Sequence, residues 1–316
     1  MVIRIFSDKR FLPPGFSCHV LLPFWGQQKE AGDPDADRFD RYIEKGSEIF
    51  EMTSMLDADL AVYPAPPTKD PAAFREFQEM TFPKPLVVFF NDDSDEVLEY
   101  REGTTVFRTS FYRSTQRPTE FALPGWSMDH GKFIERPWVP IPTVGFCGQV
   151  YPLDVRKAAL DILEGDQRIA KRFIRRSQFW GGWISSGRRG DVGRQVRNEF
   201  LVNIMDSDYV LCARGGGNFS YRIYETMMSG RIPLLVDTDC VLPYEFLVEW
   251  RKLFPTVDKT EIPKIVDTLL DYHIGIGPRY FQQRQREMRR LWEEWISPEG
   301  FFSNFHKHFT TGSATV

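Results

Sequence analysis

Cysteine is scarce in this chain: Cys18, Cys147, Cys212 and Cys240 lie far apart among 316 residues, with no CxxC pair. That spacing excludes a disulfide framework and a zinc knuckle, and it fits a reducing compartment. A basic excess is also missing, because 40 Lys+Arg stand against 44 Asp+Glu for a formal charge of −4. A dedicated nucleic-acid binder carries a strong positive balance, so no nucleic-acid partner is expected. Long apolar runs are absent. No stretch approaches the roughly 18 residues of a membrane span. The opening Met1-Val2-Ile3-Arg4-Ile5-Phe6-Ser7-Asp8 is too short and too broken by charge for a signal peptide. The expectation is a soluble, cytoplasmic protein with no membrane span. No internal repeat stands out, and an aromatic content of 15% rules out intrinsic disorder.

What is present alternates. In the first half, Val2 to Phe6, Asp59 to Tyr63, Leu86 to Phe90 and Thr105 to Phe111 read as strands, and Arg38 to Met55 reads as an amphipathic helix. Continuous apolar runs bounded by Pro or Asp suit strands covered on both faces of a parallel sheet. Three prolines between Glu135 and Pro142 mark a linker. The pattern then restarts with strands Thr143 to Cys147, Tyr209 to Cys212 and Ile232 to Val236. Helices are expected over Asp154 to Leu163, Asp191 to Met205, Ser220 to Met228 and Gln282 to Trp295. The expected fold class is α/β, with two Rossmann-like domains over residues 1–136 and 137–290. A helical tail over 291–316 is placed to pack back on the first domain.

Chemistry concentrates where the strand Tyr209 to Cys212 ends. Ala213-Arg214-Gly215-Gly216-Gly217-Asn218-Phe219-Ser220 leads into a helix that carries Arg222 and Glu225. Glycine allows close backbone approach to a ligand. A helix N-terminus offers open N–H groups and a positive dipole end, both of which attract phosphate. Arg214 and Arg222 bracket the turn as charge-assisted donors, and Glu225 is placed to accept from ribose hydroxyls. The spacing is neither a GxGxxG fingerprint nor a P-loop, and a plain strand–helix connection with a surface Arg–Glu pair remains open.

These residues resemble the exostosin-type (GT47-type) glycosyltransferase signature. Its parts are Arg214-Gly215, Ser220-x-Arg222-x-x-Glu225, Gly230-Arg231-Ile232-Pro233-Leu234 and Leu242-Pro243, preceded by Arg197-Asn198-Glu199-Phe200. The resemblance implies a GT-B fold, two Rossmann-like domains facing a cleft, with a nucleotide-sugar donor held by the second. It implies transfer of a sugar, expected from a UDP-sugar, to a glycan or glycoconjugate hydroxyl. Arg156, just past the turn at Gly148, is a further candidate for the diphosphate. The donor set is thus Arg156, Arg214, Gly215, Gly216, Gly217, Asn218, Ser220, Arg222 and Glu225.

A transferase of this kind needs a base within reach of the acceptor hydroxyl. Asp129 and His130 are placed slightly ahead of Asp92 and Asp93, with Asp8 as a further option. Six Asp-x-Asp tripeptides occur, too common a pattern here to mark a metal site, and neither a metal nor a cofactor is expected. The basic loop Ser185 to Gly190 is a candidate lid over the phosphates. His306-x-His308 is read as an exposed edge of a packed segment. Two alternatives stay open: a GDP-sugar-dependent, fucosyltransferase-like GT-B enzyme, or a non-catalytic nucleotide- or carbohydrate-binding subunit.

Overall fold

The computed structural model describes residues 2–29, 33–131, 133–150, 154–179 and 191–310. Two parallel sheets organise the chain. The first has strand order β2-β1-β3-β4-β5-β6, from β1 (Ile3–Phe6), β2 (Phe50–Met52), β3 (Leu60–Tyr63), β4 (Leu86–Phe90), β5 (Thr104–Arg108) and β6 (Glu120–Ala122). The second has order β11-β10-β9-β7-β8, from β7 (Thr143–Gln149), β8 (Ala170–Arg176), β9 (Tyr209–Cys212), β10 (Ile232–Asp237) and β11 (Thr256–Asp258). Their connections carry α1 (Leu22–Trp25), α2 (Asp40–Lys45), α3 (Pro71–Met80), α4 (Asp154–Gly165), α5 (Asp191–Met205) and α6 (Tyr221–Met228). Beyond the second sheet come α7 (Ile265–Leu291), α8 (Pro298–Ser303) and α9 (Lys307–Thr310). This is the expected α/β class, with two parallel sheets.

Burial explains the strands. Every residue of β3, β4, β9 and β10 is buried, as layers on both faces of a parallel sheet demand. The edge strand β8 departs from this rule. Its Ala-Lys-Arg-Phe-Ile-Arg-Arg sequence is fully buried at no position and carries four charges, with Arg175 paired to Asp161 and Arg172 to Asp206. Charged side chains on an edge discourage further pairing.

The helix expected over Arg38 to Met55 is a correction. Only α2 is α-helical there, followed by one 3-10 turn at Gly46–Glu48. Gly46 lies where a Cβ would meet the Pro23 ring at 2.1 Å, and the chain then extends so that Phe50 buries as part of β2 against β1. The helix expected over Gln282 to Trp295, α7, also differs from expectation. It starts at Ile265 and is broken at Gly277 (φ 53°, ψ −175°), where Pro278 follows without an amide hydrogen to donate.

After α7 the chain crosses back to the first sheet. Phe301, Phe302 and Phe305 join Tyr42, Phe50, Phe89 and Phe107 in one core, with Tyr42 and Phe302 stacked at 4.4 Å and Phe107 and Phe305 at 4.9 Å. Each such ring contributes about 1.5–3 kcal/mol through burial alone. His308 is buried in the same cluster, against Phe107, Phe121 and Tyr244, which corrects the exposed edge expected there. Burial pushes its pKa down to about 3, so the ring is neutral.

Candidate functional site

The carboxyl ends of the two sheets meet. Tyr112, after β5, bridges to Cys240, after β10, and Arg113 pairs with Asp237 at 3.0 Å. In the second sheet the chain runs from β7 outward to β8 and then returns to β9 on the other side of β7. The ends of β7 and β9 are therefore a topological switch point, where ligands bind in open α/β sheets.

Two guanidinium groups sit there. Arg222, on α6, donates through Nη2 to the Cys147 carbonyl at 2.9 Å and lies 4.4 Å from the centre of the Phe146 ring. Arg156, on α4, donates to the carbonyls of Gln149, Ala213 and Arg214 at 2.7, 3.1 and 2.9 Å. Gly148 makes the approach possible, since a Cβ there would lie 2.6 Å from Arg222 Nη2. Arg222 is 9% exposed and Arg156 7%. Neither is ion-paired with a carboxylate among the described residues, and the Nε of each is buried without a hydrogen bond. Burial and the neighbouring Arg222 charge pull Arg156 down to about 9, and burial lowers Arg222 as well. Arg156 still titrates about two units above neutral pH, so it remains a cation. Two buried like charges with open N–H groups favour one kind of ligand, a compact anion.

Around this pair the expected donor residues divide. Ser220 is the N-cap of α6 with an extended backbone and makes no capping bond through its side chain, so the first-turn amides lack a local cap. Gly215 packs beside Arg156, 3.8 Å from Nη2 to a would-be Cβ, and its N–H donates to Phe219 O. Arg214 turns outward, with Nη1 donating to Tyr112 Oη and Nη2 to Gly216 O, both at 3.1 Å. Gly216, Gly217 and Asn218 are corrections to the phosphate-cradle reading. A Cβ on Gly216 would stand 2.7 Å from Asp93 Oδ2, and one on Gly217 would stand 2.9 Å from Ser110 Oγ. Asn218 is 1% exposed and consumed by bonds to Ser110, Phe111 and Thr238. These three residues fit the turn against the first sheet.

Glu225 faces the same junction. Its Oε1 accepts from Arg197 Nη1 at 2.6 Å and from Ser127 Oγ at 2.8 Å. Tyr221, one turn earlier, donates to Asn91 Oδ1 and packs over Gly125.

The base candidates also separate. Asp129 is held by Arg289 through both oxygens, at 2.8 and 2.7 Å, and also accepts from Gly131 N–H. Burial works to raise its pKa, but the Arg289 hydrogen bonds and charge outweigh it and leave the carboxyl below its usual range. A carboxylate so engaged is a poor proton acceptor, which corrects its placing ahead of the others; half-buried His130 follows it in the same loop. Asp92 is exposed after β4 and accepts from Ser94 N–H. Asp93 reaches the glycine turn. Packing there and the adjacent Asp92 charge raise its pKa, with Arg214 opposing. Asp8 is tied to Arg10 on the first-sheet side. The loop Ser185 to Gly190 lies outside the described residues.

No family model matches the chain. Curated relatives do. Over 136 residues it is 29% identical to Ribitol-5-phosphate xylosyltransferase 1 of Homo sapiens, covering 42% of this chain and 26% of that protein. Over 118 residues it is 26% identical to Probable beta-1,4-xylosyltransferase IRX10L of Arabidopsis thaliana, covering 34% and 28%. Over 102 residues it is 28% identical to a probable glucuronosyltransferase of Oryza sativa subsp. japonica, covering 28% and 24%. These matches are consistent with an exostosin-like family. The chain spans about a quarter of the length of the curated relatives it matches. Among solved structures it is similar to TarM, with a TM-score of 0.43 and 11% identity over 83% of this chain and 55% of that one.

Sequence reasoning missed Arg197 as a site residue, and with it Asp35 and Ser127. The one signal for Arg197 was its place at the head of the exostosin-like stretch. Asp35 was hidden inside an Asp-x-Asp tripeptide that had no weight of its own. Among the described residues no helix is long and apolar enough to cross a membrane, and no cluster of three His, Cys, Asp or Glu is placed to hold a metal ion.

Proposed function

We propose that the chain is a glycosyltransferase that takes a sugar from a nucleoside-diphosphate donor, a UDP-sugar, to a glycan hydroxyl. The observation that carries this reading is the pair of buried, carboxylate-free guanidinium groups of Arg156 and Arg222 at the switch point. The diphosphate lies against them and the N-terminus of α6, and one Glu225 oxygen accepts from the ribose. The names of the curated relatives favour a xylosyl or glucuronosyl residue as the sugar moved.

In the transfer, the acceptor oxygen attacks the anomeric carbon while the bond from that carbon to the diphosphate oxygen breaks. The acceptor proton passes to Asp93, whose raised pKa suits a base. The two electrons of the broken bond stay with the diphosphate, and the guanidinium pair meets the charge that grows there. Preorganised charge of this kind commonly supplies most of the transition-state stabilisation in such a reaction, and here it takes the place of a metal ion. A single in-line displacement inverts the anomeric centre.

A thermal-shift panel of UDP, GDP, CMP and their sugars tests the reading. At a hundredfold excess over its dissociation constant the donor nucleotide stabilises by about 2.7 kcal/mol. A panel in which nothing shifts the melting temperature refutes it. With the donor known, Asp93→Asn is expected to cut kcat by about 10²–10⁴ with the donor KM little changed. An unaltered kcat removes Asp93 from the reaction.

A further inference from the structure

Glu225 is fixed by a residue that the scheme above leaves without a role. Arg197, on α5, is 2% exposed and divides its guanidinium between two carboxylates from different sheets. Its Nη1 donates to Glu225 Oε1 at 2.6 Å, and its Nη2 donates to Asp35 Oδ1 at 3.0 Å. Asp35, between β1 and β2 in the chain, is anchored in turn by the Met128 N–H at 2.8 Å. Ser127, from the same segment as Met128, adds its hydroxyl to Glu225 Oε1. Burial works to lower the Arg197 pKa, yet Glu225 and Asp35 together hold it above its usual value, so the central cation is secure.

The geometry is one-sided. Both bonds to Glu225 fall on Oε1, and Oε2 takes none among the described residues. A carboxylate pinned by one oxygen cannot rotate about its last torsion without breaking a buried ion pair, so the other oxygen has a set direction. Phe200 packs between the two systems, 5.3 Å from the Arg197 guanidinium and 5.6 Å from that of Arg222. The ribose carboxylate and the diphosphate cations therefore share a wall.

We propose that Arg197 is a positioning residue. It holds Oε1 of Glu225 so that Oε2 meets the ribose hydroxyls, and through Asp35 it makes that orientation depend on contact between the two sheets. Ribose recognition is then complete only when the halves are together. This inference rests on Glu225 being the ribose ligand.

The test is the ratio of affinities for a nucleoside diphosphate and its 2′,3′-dideoxy form, measured by calorimetry with the UDP and GDP pairs. A charge-assisted hydrogen bond predicts a preference of about tenfold for the ribose form in the native protein. Arg197→Met combined with Asp35→Asn, which removes the cation without leaving two extra buried anions, is expected to bring the ratio to about one. Affinity for the dideoxy form should change less than twofold. Arg197→Lys offers one point charge in place of a fork, so its ratio should fall at least threefold and stay above one. A merely structural role would weaken both nucleotides alike and leave the ratio unmoved, and that result overturns the proposal. If the double variant does not fold by circular dichroism, the lysine variant decides alone, and an unchanged ratio there has the same force. A native protein that binds nucleotide with no ribose preference refutes the assignment of Glu225 itself, which is a separate outcome.

Discussion

Two of the aromatic groups in this molecule serve opposite ends. Around Phe107, the rings of Tyr42, Phe50, Phe301, Phe302 and Phe305 pack on one another, and the imidazole buried against them, His308, is kept neutral. Around Phe146 and Phe200 the rings instead carry cations: Arg156, Arg197 and Arg222 all have a guanidinium within 6 Å of a ring centre. The first cluster is complete in itself, because apolar faces need only each other. The second is not. A cation over a ring gains about 0.5–2 kcal/mol, while an effective desolvation cost of several kcal/mol per ion remains. Arg156 and Arg222 offset that cost only with carbonyls and leave an N–H of each open. The first region holds the chain together, and the second keeps free energy in reserve for an anion.

Truncation separates the two most sharply. Phe302→Ala is expected to lower unfolding stability by about 3–5 kcal/mol, as lost ring burial plus a residual cavity. Nucleotide affinity per folded molecule should not change, and chemical denaturation with calorimetry on the same samples checks both. Arg222→Met should do the reverse. We expect a loss of about 10²–10³ in kcat/KM, the size of one removed charge donor in a transition state. Stability should hold or rise, since an uncompensated buried cation gives way to an apolar chain. If Arg222→Met unfolds as readily as Phe302→Ala, the contrast between the regions disappears.

A third effect is set by pH. The folded pKa of His308, pushed down to about 3, lies below the 6.5 of an open histidine, so the unfolded chain takes up the proton first as pH falls. Its contribution is fully present above about pH 6.5 and is lost between there and pH 3, at about 1.4 kcal/mol per unit. His308→Gln should flatten the stability profile between pH 6 and 4.5 by that slope. An unchanged slope would mean that the aromatic cluster does not hold the ring neutral.

Much of this was legible in the chain. Leu86-Val87-Val88-Phe89-Phe90 announces a buried strand and is one, and Ser220-x-Arg222-x-x-Glu225 points to the helix start where the guanidinium pair stands. Local signals failed where distant partners decide. The strand β8 was not among the expected strands, and Asp161, Glu164 and Asp206, from outside it, supply its counter-charges. The helix α3 carried an overlooked mark, Asp70 before Pro71, and Asp70 does cap it through the Ala72 and Ala73 amides. At the site, Arg197 and Asp35 stand 162 positions apart and Asp129 and Arg289 stand 160 apart, and no spacing rule joins such pairs. The three glycines signalled close approach correctly, but what approaches two of them is Asp93 and Ser110 of the other sheet.

The guanidinium pair can be tested most directly by titrating the stabilising nucleoside diphosphate into native protein and into Arg156→Met/Arg222→Met in a calorimeter. The account requires affinity to fall at least about a hundredfold, the loss of two charge-assisted contacts, with the variant melting no lower than native protein. Equal affinity in a folded double variant would place the diphosphate elsewhere and contradict the account.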